Sequence, residues 1–219
     1  MKPTCFSGKF TITAHTGCEN TPDNTLEAVE AAFQSGADIF EVDIRFDQNG
    51  VPILAHNEPV GGEVELEQVF ALMKTNESIL CNLDIKVTDH LSAVAALAKE
   101  YDLLDRVFYT GIHEFFVEKA RTDTPEIPYY LNMALVPPAE QTDDYLADVA
   151  AKVKSLGAIG VNCHFGYATP ELVEAVHQND LLVSLWTVNE KEDMIRIMKL
   201  NPDNITTRKP VLLRSLADC

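Results

Sequence analysis

The apolar run IFEVDI holds two carboxylates, Glu41 and Asp43, two residues apart. In a strand that spacing puts both on one face, with Phe40, Val42 and Ile44 on the other. Neighbouring carboxylates turned away from solvent repel unless a cation or a proton sits between them. The run CNLDIK repeats the spacing with Asp84 and Lys86. Asp84 then adds a third carboxylate from a neighbouring strand. Three carboxylates on adjacent strands make a hard-oxygen site suited to one divalent cation, Mg2+ or Ca2+. Lys86 brings positive charge for an anionic substrate. A solvated strand face and a plain Asp84–Lys86 ion pair are the competing readings.

Two histidines belong with these groups. His15 closes the run TITAH, and His56 closes VPILAH. The run at 51–56 follows 39–44 too closely for a parallel crossover, so it turns back as a hairpin. Asn49-Gly50 predicts a two-residue type I′ turn. Counting outward from it, Gln48 faces Val51, Arg45 faces Leu54 and Asp43 faces His56. Directly opposed residues share a face, which places His56 beside the carboxylates. Arg45 shares their face and is a lesser substrate-binding candidate. His164 ends a later run and is another, with Asn132 behind it. His90, His113 and His177 fall on helical patterns and read as surface or packing residues. Trp186, taken alone, reads equally well as core.

The elements that must carry these residues alternate along the whole chain. Short apolar runs occur at 11–15, 39–44, 81–86, 107–112, 129–135, 158–163, 181–188 and 204–207. Helical periodicity fills 25–35, 65–74, 89–101, 113–121, 139–155, 170–178 and 190–200, and a short closing helix follows Pro210. Asn24, Asn189 and Thr169 are the expected N-caps, the last followed by Pro170. Setting the hairpin aside, eight strand–helix units in 219 residues predict a single (β/α)8 barrel domain over 1–219. Barrel active sites lie at the C-terminal ends of the strands, where these polar residues cluster. A doubly wound open sheet is weakened by the lack of a Gly-rich loop after the first strand.

Hydrophobic residues make up 46% of the chain, enough for one large core. The net charge of -17 repels nucleic-acid backbones and anionic lipid, so neither is an expected partner. No apolar run approaches membrane-spanning length, and the N-terminus lacks the apolar core of a signal peptide. A cytoplasmic location is the expectation. Five scattered cysteines without a CxxC pair read as reduced thiols.

The stretch AHTGCENTPDNTLEAVEAAFQSGADIFEVDIRFDQNGVPILAHNEP resembles the N-terminal signature of the glycerophosphodiester phosphodiesterase family. That signature runs His-Arg-Gly, Glu-Asn-Thr, Glu-x-Asp, a glycine turn and a second histidine. LDIK, LWTVNE and ITTRKP resemble its later segments, so the likeness extends from about Thr11 to Pro210. It implies His15 and His56 as acid/base residues, Glu41, Asp43 and Asp84 as metal ligands, and Lys86 as a phosphate contact. It also implies Trp186 as a wall for the substrate's alcohol portion.

The implied activity is metal-dependent hydrolysis of a small phosphodiester to glycerol 3-phosphate and an alcohol. A lysophospholipid-cleaving relative and a catalytically impaired binding barrel are the alternatives. Four departures stand out, the mildest being Asp23 in place of the glutamate of Glu-Asn-Thr. Thr16 replaces the arginine that binds phosphate in the family, which leaves Lys86 and the metal to hold the phosphate, with Arg45 as the candidate replacement, and predicts weak phosphate binding and a high KM. Asp84 stands for a glutamate. Only a short segment separates His56 from the helix expected at Glu65, so the sizeable insertion that caps the family's pocket is missing and an open mouth is expected.

Overall fold

The computed structural model describes residues 10–218. Its ring strands are β1 (Thr11–Ala14), β2 (Ile39–Phe46), β4 (Leu80–Ile85), β5 (Val107–Ile112), β6 (Tyr129–Asn132), β7 (Gly160–His164), β8 (Leu182–Trp186) and β9 (Asn204–Thr207). All pair in parallel, and β1 pairs with both β9 and β2, so the sheet closes on itself as an eight-stranded barrel. Helices α1 (Leu26–Gln34), α2 (Leu66–Met73), α3 (Leu91–Glu100), α4 (Val117–Asp123), α5 (Asp143–Ser155), α6 (Pro170–His177), α7 (Lys191–Met198) and α8 (Pro210–Ala217) connect the strands and close the chain. The predicted (β/α)8 architecture is the one observed.

Side chains on the strands alternate as the sequence requires. Phe40, Val42 and Ile44 point outward into the main core, packed against the helices. Ile39, Leu80, Phe108, Tyr130 and Leu182 point inward and plug the end of the barrel where the strands begin. One step along each strand the interior turns polar, with Glu41, Asn82, Thr110, Asn162, Ser184 and Asn204 all buried. Polar groups shut away from water need partners. Thr11 and Thr13 accordingly donate to Asn204 Oδ1 at 3.0 and 2.8 Å, and Asn204 Nδ2 donates to Ser184 at 3.0 Å. The plug and this polar layer leave one open end, above the C-terminal ends of the strands.

Strand β3 (Pro52–Leu54) lies outside the ring, antiparallel to β2, as the hairpin reading expected. Its register differs by one residue. Arg45 faces Ile53 rather than Leu54, and Ala55, not His56, bonds back to the Asp43 carbonyl at 3.0 Å. The loop contains three residues, Gln48 to Gly50, with the Gly50 N–H bonded to the Asp47 carbonyl at 3.0 Å and Gly50 alone at positive φ. The cause is Asp47, whose carboxylate accepts from the N–H groups of Asn49 and Val51 at 2.8 Å each. That Asx-type turn holds Asn49 out of the left-handed conformation a type I′ turn would require.

Candidate active site

The open end of the barrel holds a cleft of about 710 Å3. At its floor one carboxylate oxygen from each of Glu41, Asp43 and Asp84 lies within 4.8 Å of the other two. Each is held by a neighbour. Glu41 Oε2 accepts from the Thr16 N–H at 2.9 Å. Asp43 Oδ2 accepts from Asn24 Nδ2 at 2.8 Å, while Asn24 Oδ1 accepts from the Asp43 N–H at 3.0 Å. Asp84 Oδ1 lies 2.7 Å from the Thr110 hydroxyl.

Lys86 Nζ bridges Asp43 and Asp84 at 2.7 and 2.5 Å. Burial alone would lower the Lys86 pKa, but these two carboxylates outweigh it and raise it. Glu41 is pushed well above the usual carboxylate range, first by burial and then by the charges of Asp43 and Asp84. One ammonium thus faces three carboxyl groups at the floor. The hard-oxygen set, with Glu41 and Asp43 buried and Asp84 half-buried, fits a divalent cation held by the three carboxylates.

His15 stands beside the triad, its Nδ1 2.8 Å from the Thr16 carbonyl and 3.8 Å from Glu41 Oε2. A carbonyl only accepts, so Nδ1 carries the proton and Nε2 is the free base. Burial, reinforced by the nearby Arg208, lowers the His15 pKa below 6.5, although the bond to Thr16 opposes the shift. His56 is exposed at the mouth, with Nδ1 3.3 Å from Asn57 Oδ1. It lines the cleft despite the shifted register, because β3 ends at Leu54 and His56 follows in the loop. Trp186, at the end of β8, forms another part of the wall.

Two sequence candidates do not line the cleft. Arg45 is tied to Glu58 at 2.6 Å and to the His56 carbonyl at 3.1 Å, so it braces the hairpin. His164 turns back to accept from the Gly166 N–H at 3.1 Å and packs edge-on against Trp186, with ring centres 5.7 Å apart. The strand alternation that aimed it inward stops at that residue.

Other residues were misread from sequence. Asn24 is not an N-cap: Thr25 caps α1, and Asn24 adopts φ 57° to brace Asp43. Glu190 occupies the N-cap position of α7, while Asn189 Oδ1 accepts from Arg208 N–H at 2.8 Å. Thr169 does cap α6, with Pro170 in its first turn. His113 lies in the cleft wall with Phe115 and Phe116, because β5 runs into a tight turn at Glu114–Phe116 before α4 begins. Phe115 is 74% exposed there and puts an apolar ring at the mouth of the cleft. Asn132 backs the wall, accepting from Gly111 N–H at 2.9 Å. A smaller hollow of about 480 Å3 beside α6 holds no comparable grouping.

No described helix is long and apolar enough to cross a membrane.

Known proteins share this architecture and much of the sequence pattern. The chain is 25% identical to a glycerophosphodiester phosphodiesterase of Caldanaerobacter subterraneus, covering 95% of this chain and 98% of that one. It is 24% identical to one of Bacillus altitudinis, covering 91% and 94%. Among solved structures, a Silicibacter pomeroyi protein described as a glycerophosphoryl diester phosphodiesterase superposes with a TM-score of 0.80 at 21% identity, covering 95% of this chain and 93% of that one. An Oleispira antarctica phosphodiesterase, solved with the product sn-glycerol-3-phosphate, also gives 0.80, at 16% identity and covering 95% and 97%. The model of the glycerophosphoryl diester phosphodiesterase family matches residues 15–77 and 60–212, which together take in the triad, both candidate histidines and every ring strand but the first. The chain therefore belongs to the glycerophosphoryl diester phosphodiesterase family and is a phosphoric diester hydrolase.

Proposed function

We propose that this chain hydrolyses glycerophosphodiesters to glycerol 3-phosphate and a free alcohol, with the buried triad holding one divalent cation and two histidines moving the protons. The supporting observation is that one cleft brings together the triad, the free base of His15 and the solvent-facing His56. When bound by Glu41, Asp43 and Asp84, Mg2+ or Ca2+ would neutralise phosphate charge and acidify an attacking hydroxyl.

The protein side follows from the contacts. His15, fixed through Nδ1, takes the attacking proton on Nε2. A new P–O bond forms to the attacking oxygen as the P–O bond to the alcohol breaks. His56, at the mouth where the alcohol departs, gives its proton to the leaving oxygen. In the resembling family the attacking group can be the substrate's own glycerol hydroxyl, which gives a cyclic phosphate that water then opens. Lys86, which bridges Asp43 and Asp84, would give up part of that hold to a cation in the triad and offer its ammonium to the phosphate. Trp186, His113 and Phe116 form the wall for the alcohol portion.

Incubation with glycerophosphocholine, with release of sn-glycerol 3-phosphate followed by a coupled dehydrogenase assay, tests this reading. Turnover that needs a divalent cation is expected, and its absence sinks the proposal. The exposed Phe115 favours a second substrate class, lysophospholipids, whose acyl chain would lie on it. Parallel assays with lysophosphatidylcholine decide between the two. Turnover of either diester excludes an inert binding barrel.

A further inference from the structure

The family's phosphate-binding arginine follows the first histidine, where this chain has Thr16. Thr16 is buried, and its hydroxyl accepts from the Asn24 N–H at 2.6 Å. Arg45 is committed to the hairpin. The inward face of β9 reads Asn204, Thr206 and, one step past the strand's end, Arg208.

Arg208 lines the same cleft as His15, the triad and Trp186. Its backbone is pinned from both sides: its N–H donates to Asn189 at 2.8 Å, and its carbonyl accepts from the Glu19 N–H at 2.9 Å. The side chain crosses to the loop after β1, where Nη1 and Nη2 grip Asp23 at 2.6 and 3.1 Å. It lies directly over Gly17, since a Cβ added there would come within 2.4 Å of Nη1 and 2.0 Å of Asp23. The guanidinium is thus delivered to the residue next to Thr16, from the other end of the chain.

We propose that Arg208 supplies the phosphate-binding guanidinium of this site, held in place by Asp23. This rests on the diesterase reading of the cleft. The grip on Asp23 uses one N–H on each terminal nitrogen and leaves three of the five donors for a phosphate. Asp23 is 52% exposed, so water can take over its oxygens as the guanidinium engages a substrate. The bond to Asp23 is the main cause that raises the Arg208 pKa, with Glu41 and Asp43 adding to it. The competing role is a plain ion pair joining the loops after β1 and β9.

Calorimetry with sn-glycerol 3-phosphate and Mg2+ separates the two roles. Arg208→Gln should weaken the Kd by about 10–100-fold, the scale of a lost charge-assisted pair. Arg208→Lys should recover only part of this, because an ammonium cannot fork. Asp23→Asn breaks the ion pair but keeps the cation, so it should cost only a few-fold if Arg208 binds phosphate. Arg196→Gln, on the outer helix α7, controls for the loss of one positive charge. Equal losses in Asp23→Asn and Arg208→Gln, or a Kd in Arg208→Gln matching the parent's, would overturn the assignment, as would a parent that binds no glycerol 3-phosphate. Hydrolysis of glycerophosphocholine by the parent is scored separately. Turnover with an Arg208-independent Kd refutes only Arg208, whereas an Arg208-dependent Kd without turnover refutes only the diesterase reading.

Discussion

His15 sets the terms at the scale of single residues, because its Nδ1 is committed to a carbonyl and its burial favours the neutral ring. A group whose folded pKa lies below its ordinary value stays unprotonated further into acid. Arg208 and a cation in the triad push in the same direction. The acid limb of kcat/KM is therefore expected below pH 6.5, the ordinary histidine value, and a limb above it would contradict the assignment of His15 as base. Replacing His15 or His56 with alanine should each reduce kcat by roughly 10²–10⁴-fold with an unchanged far-UV circular dichroism spectrum. Asn24→Ala should weaken divalent-cation binding by roughly 10–100-fold, since Asp43 loses the partner that orients it, and calorimetric titration with Mg2+ measures this. The triad was legible in the sequence because a two-residue spacing in a strand has one geometric meaning. Asn24 was not, because an asparagine before a helix looks the same whether it caps the helix or reaches across to a strand end. Arg208 lay one alternation step beyond β9, hidden in a segment read only as a motif.

Secondary-structure elements reach the site through backbone spacing as much as through side chains. The hairpin's existence followed from chain length alone, but its register depended on the Asp47 carboxylate, which no count of turn residues includes. His113 was assigned to a helix that in fact begins four residues later, at Val117, because the tight turn between them mimics helical periodicity over so short a stretch. Gly160 shows the opposite case, a requirement set by a neighbouring strand. A Cβ there would lie 2.1 Å from the Leu182 carbonyl oxygen of β8. Gly160→Ala should cost about 1–3 kcal/mol, the range for overpacking, read as a lower urea midpoint with little change in m. A variant as stable as the parent would mean that β7 and β8 are further apart than described.

At the scale of the whole molecule, the described residues form a barrel closed at one end by apolar side chains and polar above, and that gradient puts the polar cleft at the other end. Its closure was readable because eight strand–helix units in a chain this short leave few other arrangements. Which inward residues face the cleft was not, because strand ends release their side chains, as at His164. Burial also governs the thiols. It pushes Cys18 up to about 11 and Cys163 up to about 12, and it raises Cys81 well above the usual thiol range. These three should resist Ellman's reagent at pH 8 in the native protein and react in guanidinium, with mass spectrometry locating the sites. Rapid native reaction at Cys81 would contradict the packing described. The central claim is that the cleft above the polar layer is a cation-dependent diesterase site. Its most direct test is release of sn-glycerol 3-phosphate from glycerophosphocholine before chelation, in excess EDTA, and after adding back Mg2+ or Ca2+. Turnover, its loss and its return are expected, whereas full activity in EDTA, or none with either cation, would show that the cleft is no such site.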